Sequence, residues 1–253
     1  MSAEAPPRRV ALLVPVTSSG RRYADCEQID LIRLLLPSLL ETATWDGRWA
    51  YELHVGYDAG DPFFDRPGRP DELAGAFAER VGARPLTIDA HRCEGTKGAP
   101  CWVWNALFAR AHARGCELFY QLGDDVVLET PGWTPAFAAA LAANPACPGL
   151  GVTGPVDDNN ARLLTQSFVS RLHMEVFGSY YPPLFRNWWS DNWLMQAYAP
   201  RHRFSTAHRV RNAGGRRRYP VQREARTQLA AEVQRGRETI AAWLAARGTG
   251  AAV

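Results

Sequence analysis

In the stretch Phe119-Tyr120-Gln121-Leu122-Gly123-Asp124-Asp125-Val126-Val127, an apolar run ends in a glycine and two adjacent aspartates. Leu118–Leu122, short, apolar and closed by a turn signal, reads as a buried strand. A strand that ends in carboxylates presents them at its carboxyl end. In an open α/β sheet that end is where ligands bind. Whether this is such a sheet depends on what lies on either side.

Upstream, Val10–Pro15 (VALLVP) is a β-branched apolar run that ends in Thr17, Ser18, Ser19 and Gly20. It reads as a parallel strand buried on both faces. Cys26–Leu40 carries Ile29, Ile32, Leu35, Leu36 and Leu39 at helical spacing, interrupted by Pro37. Tyr51–Tyr57 predicts a second strand that ends at Asp58, Asp71–Val81 a helix, and Pro85–Asp89 a third strand. Cys101–Arg114 predicts a helix with Val103, Leu107 and Ala111 on one face. Downstream of the acidic pair, Trp133–Ala143 reads as helix and Leu150–Gly154 as a fifth strand. Strands and helices that alternate with short connections predict a doubly wound, mostly parallel α/β sheet. The polar clusters Thr17–Ser19, Asp58–Asp61 and Asp124–Asp125 then converge on one crevice.

The second half differs in character. Aromatic residues crowd Asp157–Tyr198, and Gln222–Arg247 predicts an amphipathic terminal helix striped by Leu229, Val233, Ile240 and Leu244. The expected organisation is a single domain over residues 1–253. Its nucleotide-binding half spans about 10–125, its acceptor half about 126–220, and its closing helix 221–247.

Composition narrows the classes. With 253 residues, 46% hydrophobic and a net charge of +3, the chain is long enough for a core and too apolar to be disordered. Val10–Val16 is far short of the roughly 20 apolar residues that span a bilayer, and no signal peptide is evident. The charge is too small for a dedicated nucleic-acid binder. Five cysteines lacking CxxC spacing predict reduced thiols in a soluble, cytoplasmic protein; a chain trimmed of an anchor would read the same.

Four segments could carry chemistry. Asp124 and Asp125 offer the oxygen ligands that hard divalent cations prefer; alternatively, one of them caps a helix. In Asn187-Trp188-Trp189-Ser190-Asp191-Asn192-Trp193, one carboxylate lies among three tryptophans. Apolar walls raise a carboxylate's pKa, and indole faces hold sugar rings, which suits a general base acting on a hydroxyl. The competing reading has Asp191 capping a helix from Asn192 while the tryptophans fill the core. Gly95-Thr96-Lys97-Gly98 at a helix start could approach a phosphate, although the P-loop string is absent. Arg209–Tyr219, with two glycines before Arg216, Arg217 and Arg218, reads as a loop that closes on a diphosphate or as a solvated surface.

In this order, the segments resemble a nucleotide-sugar glycosyltransferase of the GT-A type, over roughly Val10–Tyr219. Lys97–Leu107 resembles the lysine-to-asparagine stretch of family 2 transferases. Gly123-Asp124-Asp125 falls where that family has Asp-x-Asp, and Asp191 falls where it has the aspartate that serves as inverting base. The resemblance implies a GT-A fold, a donor such as a UDP-sugar, a glycan or other hydroxyl acceptor, and a divalent metal, Mn2+ or Mg2+. It implies Asp125 as metal ligand, with His208 supplying a further ligand or Asn212 in its place. Asp124 would lie near the ribose or the metal's water shell. Thr17, Asp58, Lys97 and Asn105 would lie with the nucleotide, and Arg216 and Arg218 over the diphosphate. Trp188, Trp189 and Trp193 would hold the acceptor. One departure is plain, because Gly123 replaces the first aspartate of the motif.

The Gly-Asp-Asp string also occurs in viral RNA polymerases, in the turn of an antiparallel hairpin. A helix-like segment is expected after it here, which sets that reading aside. Three alternatives stay open: a retaining transferase on the same scaffold, a sugar nucleotidyltransferase, and a glycan-binding module without turnover.

Overall fold

A computed structural model describes residues 5–214 and 219–248. Four parallel strands form its centre: β1 (Arg8–Val16), β2 (Trp49–Asp58), β3 (Leu86–Cys93) and β4 (Leu118–Gln121). The six-stranded sheet runs β3-β2-β1-β4-β8-β6, with β6 at Val152–Thr153 and β8 at Ser167–Ser170. The expected mixed α/β architecture, a mostly parallel sheet flanked by helices, is the one observed.

Side-chain alternation on β1 explains the layering. Val10, Leu12, Val14 and Val16 face one way, into a core completed by α1 (Leu36–Thr42), α2 (Arg69–Val81) and α4 (Trp133–Ala142). Ala11 and Leu13 face the other way. Their core is completed by α3 (Pro100–Ala113), α5 (Leu172–Phe177), α6 (Ser190–Tyr198) and α7 (Arg223–Ala246). Residues 10–14 are all fully buried, as a strand covered on both faces requires. On α7, Val233, Ile240 and Leu244 are buried and Leu229 packs beside them, so the expected stripe is the docking face.

Three local expectations are corrected. The fifth strand does not extend the parallel set. Residues 152–153 pair with β8, which lies antiparallel between β4 and β6. Residues after the acidic pair are not helical. Val126–Leu128 form β5, in a small separate sheet with β9 (Arg209–Asn212) and β7 (Val156–Asp157). β5 turns away from β4 to pair with β9, so no hairpin forms. Finally, Arg209–Asn212 is strand rather than loop. The Cys26–Leu40 segment is helical, but as a 3-10 turn (Cys26–Gln28) and a π-helical turn (Leu31–Leu35) that lead into α1, with Pro37 in its first turn.

All five cysteines are unpaired and buried. Among the described residues, no helix is long and apolar enough to cross a membrane.

Candidate active site

Strand order reverses between β1 and β4, since β2 and β3 lie to one side of β1 and β4 to the other. Ligands bind outside such a switch point, at the strands' carboxyl ends. Trp104 on α3 sits across it, and its Nε1 donates to the Leu13 carbonyl at 3.0 Å and to the Leu122 carbonyl at 3.3 Å. Above Trp104 opens a pocket of about 480 Å³, within the range of small-molecule sites.

Four carboxylates line this pocket: Asp124, Asp125, Asp157 and Asp191. Asp124 and Asp125 are carried by the turn after β4, which is tied down twice. The Gly123 amide donates to Gln166 Oε1 at 2.9 Å, and the Ala213 amide donates to the Asp125 carbonyl at 2.8 Å. The second bond extends the pairing of β5 with β9 and brings Asn212 and Gly214 to the pocket wall. Gly214 is packed so tightly that a Cβ there would collide with the Asp125 carboxylate. Arg21 lies beside it, Nη2 3.7 Å from Asp125 Oδ2, and also pairs with Asp30.

Asp157 ends β7 and is almost fully buried. It accepts from the Asn159 amide at 2.9 Å and the Thr165 hydroxyl at 2.7 Å. Asp191 stands in the first turn of α6, one position past Ser190, so it is not the helix cap; Trp189 holds that place. Trp189 has φ +75°, a left-handed conformation rare for a bulky residue. A helix N-terminus ordinarily favours the ionised carboxylate. Here burial, with a smaller contribution from the charge of Asp157, pushes the Asp191 carboxyl up to about 7. A carboxyl raised to that range lies near neutral pH, where general bases work best.

Of the residues singled out in the sequence, Asp124, Asp125, Asp191, Asn212 and Trp188 converge on this pocket. Several others are placed elsewhere. Trp193 is fully buried, donates to the Glu232 carbonyl at 3.1 Å and packs against Phe177, so it is core rather than acceptor platform. Trp189 does not line the pocket; its Nε1 donates to the Gln222 carbonyl at 3.0 Å. His208 packs on Phe137. It lies four residues before Asn212, roughly 13 Å along the extended chain. The structure thus separates His208 from Asp125, and of the two expected extra ligands only Asn212 reaches the pocket. Asn105 uses both ends of its amide on the Tyr181 backbone, at 2.8 and 2.9 Å. Thr17 and the Ser18 amide and hydroxyl bind buried Asp61, which also accepts from the Phe63 and Phe64 amides. Asp58 accepts from the Thr96 hydroxyl at 2.6 Å, and Lys97 is exposed. Arg216 and Arg218 lie outside the described residues, although Gly214 and Tyr219 on either side of them line the pocket.

Sequence reasoning missed Asp157, Gln166, Trp104 and Asn159. Trp104 carried a signal: it is polar-tipped and next to the singled-out Asn105. Asp157 and Asn159, in Asp157-Asp158-Asn159-Asn160, form a polar cluster of the same kind as those that follow the other strands.

The metal implied by the resemblance can be tested against this donor set. Magnesium-type sites commonly use one or two carboxylates, completed by substrate phosphates and water. Asp124 and Asp125 fit that pattern. They do not fit a cage made by the protein alone. Among the described residues, the three-residue group of His, Cys or acidic side chains that could ligate is Glu52, His54 and Cys116, buried beneath α3, where Arg9 and Arg114 already pair with Glu52.

No protein-family model matches this chain, and no curated protein matches it. Among solved structures it is similar to a protein from Desulfovibrio desulfuricans G20 provisionally named a nucleotide-diphospho-sugar transferase. The identity is 11%, the TM-score 0.45, and the alignment covers 91% of this chain and 98% of the other.

Proposed function

We propose that this chain is a glycosyltransferase that moves a sugar from a nucleoside-diphosphate donor, such as a UDP-sugar, to a hydroxyl of a glycan or other acceptor. The observation that carries the reading is the meeting of two kinds of carboxylate in one pocket. An acidic pair sits at the end of β4. Opposite in role, Asp191 has a carboxyl raised to about 7.

In this reading the acceptor hydroxyl lies against Asp191, which takes its proton as the oxygen bonds to the anomeric carbon. The bond from that carbon to the diphosphate oxygen breaks, and the nucleoside diphosphate leaves with the electron pair. The product is inverted. Asp157 keeps Asp191 from being a weak base by disfavouring its ionised form. Trp104, Trp188 and Tyr219 supply the ring faces on which a sugar can stack. Asp125 and Asp124 would hold a divalent cation carried with the donor, which supplies charge neutralisation for the leaving diphosphate. Asn212 and Gly214 close the same wall, and Gly214 allows its backbone to approach where any side chain would intrude.

The reading is tested by Asp125→Ala. Donor affinity measured by calorimetry with Mn2+ present should fall sharply while the melting temperature is kept. Equal donor affinity in Asp125→Ala and the parent chain removes the acidic pair from the site.

A further inference from the structure

Residues 154–166 line two neighbouring cavities of contrasting charge. Asp157, Asn159, Asn160, Thr165 and Gln166 face the large pocket. Gly154–Val156 and Ala161–Leu164 face a smaller one of about 130 Å³. Among the described residues, the large pocket is lined by four aspartates and no lysine or arginine. The small one is lined by Arg162 and Arg203 and by no acidic residue, with Ser205 and Thr206 beside them. Neither guanidinium has a hydrogen-bond or carboxylate partner among the described residues. Most other arginines among the described residues do have one, as Arg8, Arg110 and Arg211 illustrate.

Helix α6 joins the two cavities. Asp191 lines the large one and Met195 the small one. Residues four apart share a helix face, about 6 Å apart along the axis. Met195 therefore sets the small cavity about one helical turn along α6 from Asp191, a separation comparable to the length of one sugar ring.

The small cavity is also held in shape. The Val152 amide donates to the His202 carbonyl and the Phe204 amide to the Val152 carbonyl, both at 2.9 Å. The Thr206 hydroxyl donates to the Gly154 carbonyl at 2.9 Å. Gly154 lies so close to Gln166 that a Cβ would collide with its carbonyl. These bonds fix both walls before any ligand arrives, and preorganised walls lower the cost of binding.

We propose that this cavity is an anion subsite of the acceptor site. It would take the carboxylate or phosphate of an acidic sugar, paired with Arg162 and Arg203, while the reacting hydroxyl lies at Asp191. Guanidinium groups match both anions through paired N–H donors, and the hydroxyls of Ser205 and Thr206 add further donors. That the bound sugar is an acceptor rests on the transferase reading above; the anion preference itself does not.

The test is binding of glucose, glucuronate and glucose 6-phosphate to the full chain, followed by calorimetry or ligand-observed NMR at low salt. Matched measurements use Arg162→Gln, Arg203→Gln and the double variant, with circular dichroism as a check on folding. At least one acidic sugar should bind about tenfold more tightly than glucose, the scale expected of charge-assisted hydrogen bonds. The double variant should bring the ratio near one, and each single variant should fall between. A preference for glucuronate alone assigns a carboxylate, and one for glucose 6-phosphate alone a phosphate. Equal binding of all three sugars by the parent chain overturns the subsite, as does a preference that survives in the folded double variant. Donor hydrolysis, assayed separately, keeps the two readings apart. An anion preference without release of nucleoside diphosphate from any donor overturns transfer and leaves the subsite. Donor hydrolysis without the preference overturns the subsite alone.

Discussion

Replacing Asp191 by asparagine should make this protein more stable while disabling it. The Asp191 carboxyl is held at about 7 against an ordinary value of 3.8, because burial, then the charge of Asp157, oppose ionisation. A folded-state pKa raised above its unfolded value means stability that is fully present below about pH 4 and lost as pH rises through 7. A pKa raised by about 3 corresponds to roughly 4 kcal/mol at pH 8, as an upper figure. The asparagine side chain has almost the same shape and no charge to desolvate. The variant's stability advantage should therefore be near zero at pH 4, grow through pH 5–7 and level off above. Urea denaturation of both chains at several pH values reads this directly. The same substitution should slow glycosyl transfer by about 100-fold or more, the usual contribution of a positioned general base. Opposite signs for stability and activity are the signature of a group kept for chemistry. A variant no more stable than the parent at pH 8, or a difference independent of pH, would show that ionising Asp191 carries no such cost in the folded chain.

In the proposed reading Asp191 is the base, and with its carboxyl raised to about 7, kcat/KM for transfer should rise about tenfold per unit below pH 7 and plateau above it; a flat profile from pH 5 to 8 argues against Asp191. His173 is buried, bonded to the Tyr198 hydroxyl and the Tyr180 carbonyl, and burial lowers its pKa to about 4 from 6.5. That contribution is full above pH 6.5 and lost as pH falls to 4, so acid should cost about 3 kcal/mol through this residue; NMR titration of the His173 ring should show no protonation at pH 5.5. Gly214→Ala should keep the melting temperature within a few degrees but weaken donor binding at least tenfold, since the added methyl group displaces the Asp125 carboxylate; unchanged donor affinity by calorimetry would count against that wall.

The parts of the fold that were legible are those where periodicity and burial agree. Val10–Val16 reads as a doubly buried strand because every side chain from Val10 to Val14 is covered, and α3 and α7 show their apolar stripes. The antiparallel β8 was not legible. Ser167-Phe168-Val169-Ser170 is four residues long, and its direction is set by where the preceding loop returns rather than by its own pattern. β5 escaped for a similar reason, since three residues carry no usable period. At the site, residue type identified Asp124, Asp125 and Asp191, whereas the phase of α6 was needed to sort the tryptophans. Trp193 and Ala197 lie four apart on the face packed into the core, and Asp191 and Met195 lie four apart on the face lining the cavities. Only the family resemblance, which implies a late histidine ligand, points to His208. What excluded it was the extended run of β9, which carries Asn212 to the pocket and leaves His208 on Phe137.

The most direct test of the central claim is release of nucleoside diphosphate from a panel of UDP-, GDP-, dTDP- and CDP-sugars, without added acceptor and with Mn2+ or Mg2+ present. Water can replace the acceptor slowly in a site built for transfer. The parent chain should release nucleoside diphosphate measurably from at least one donor, with release lost in Asp125→Ala and strongly reduced in Asp191→Asn. A folded chain that cleaves none of these donors would contradict glycosyl transfer.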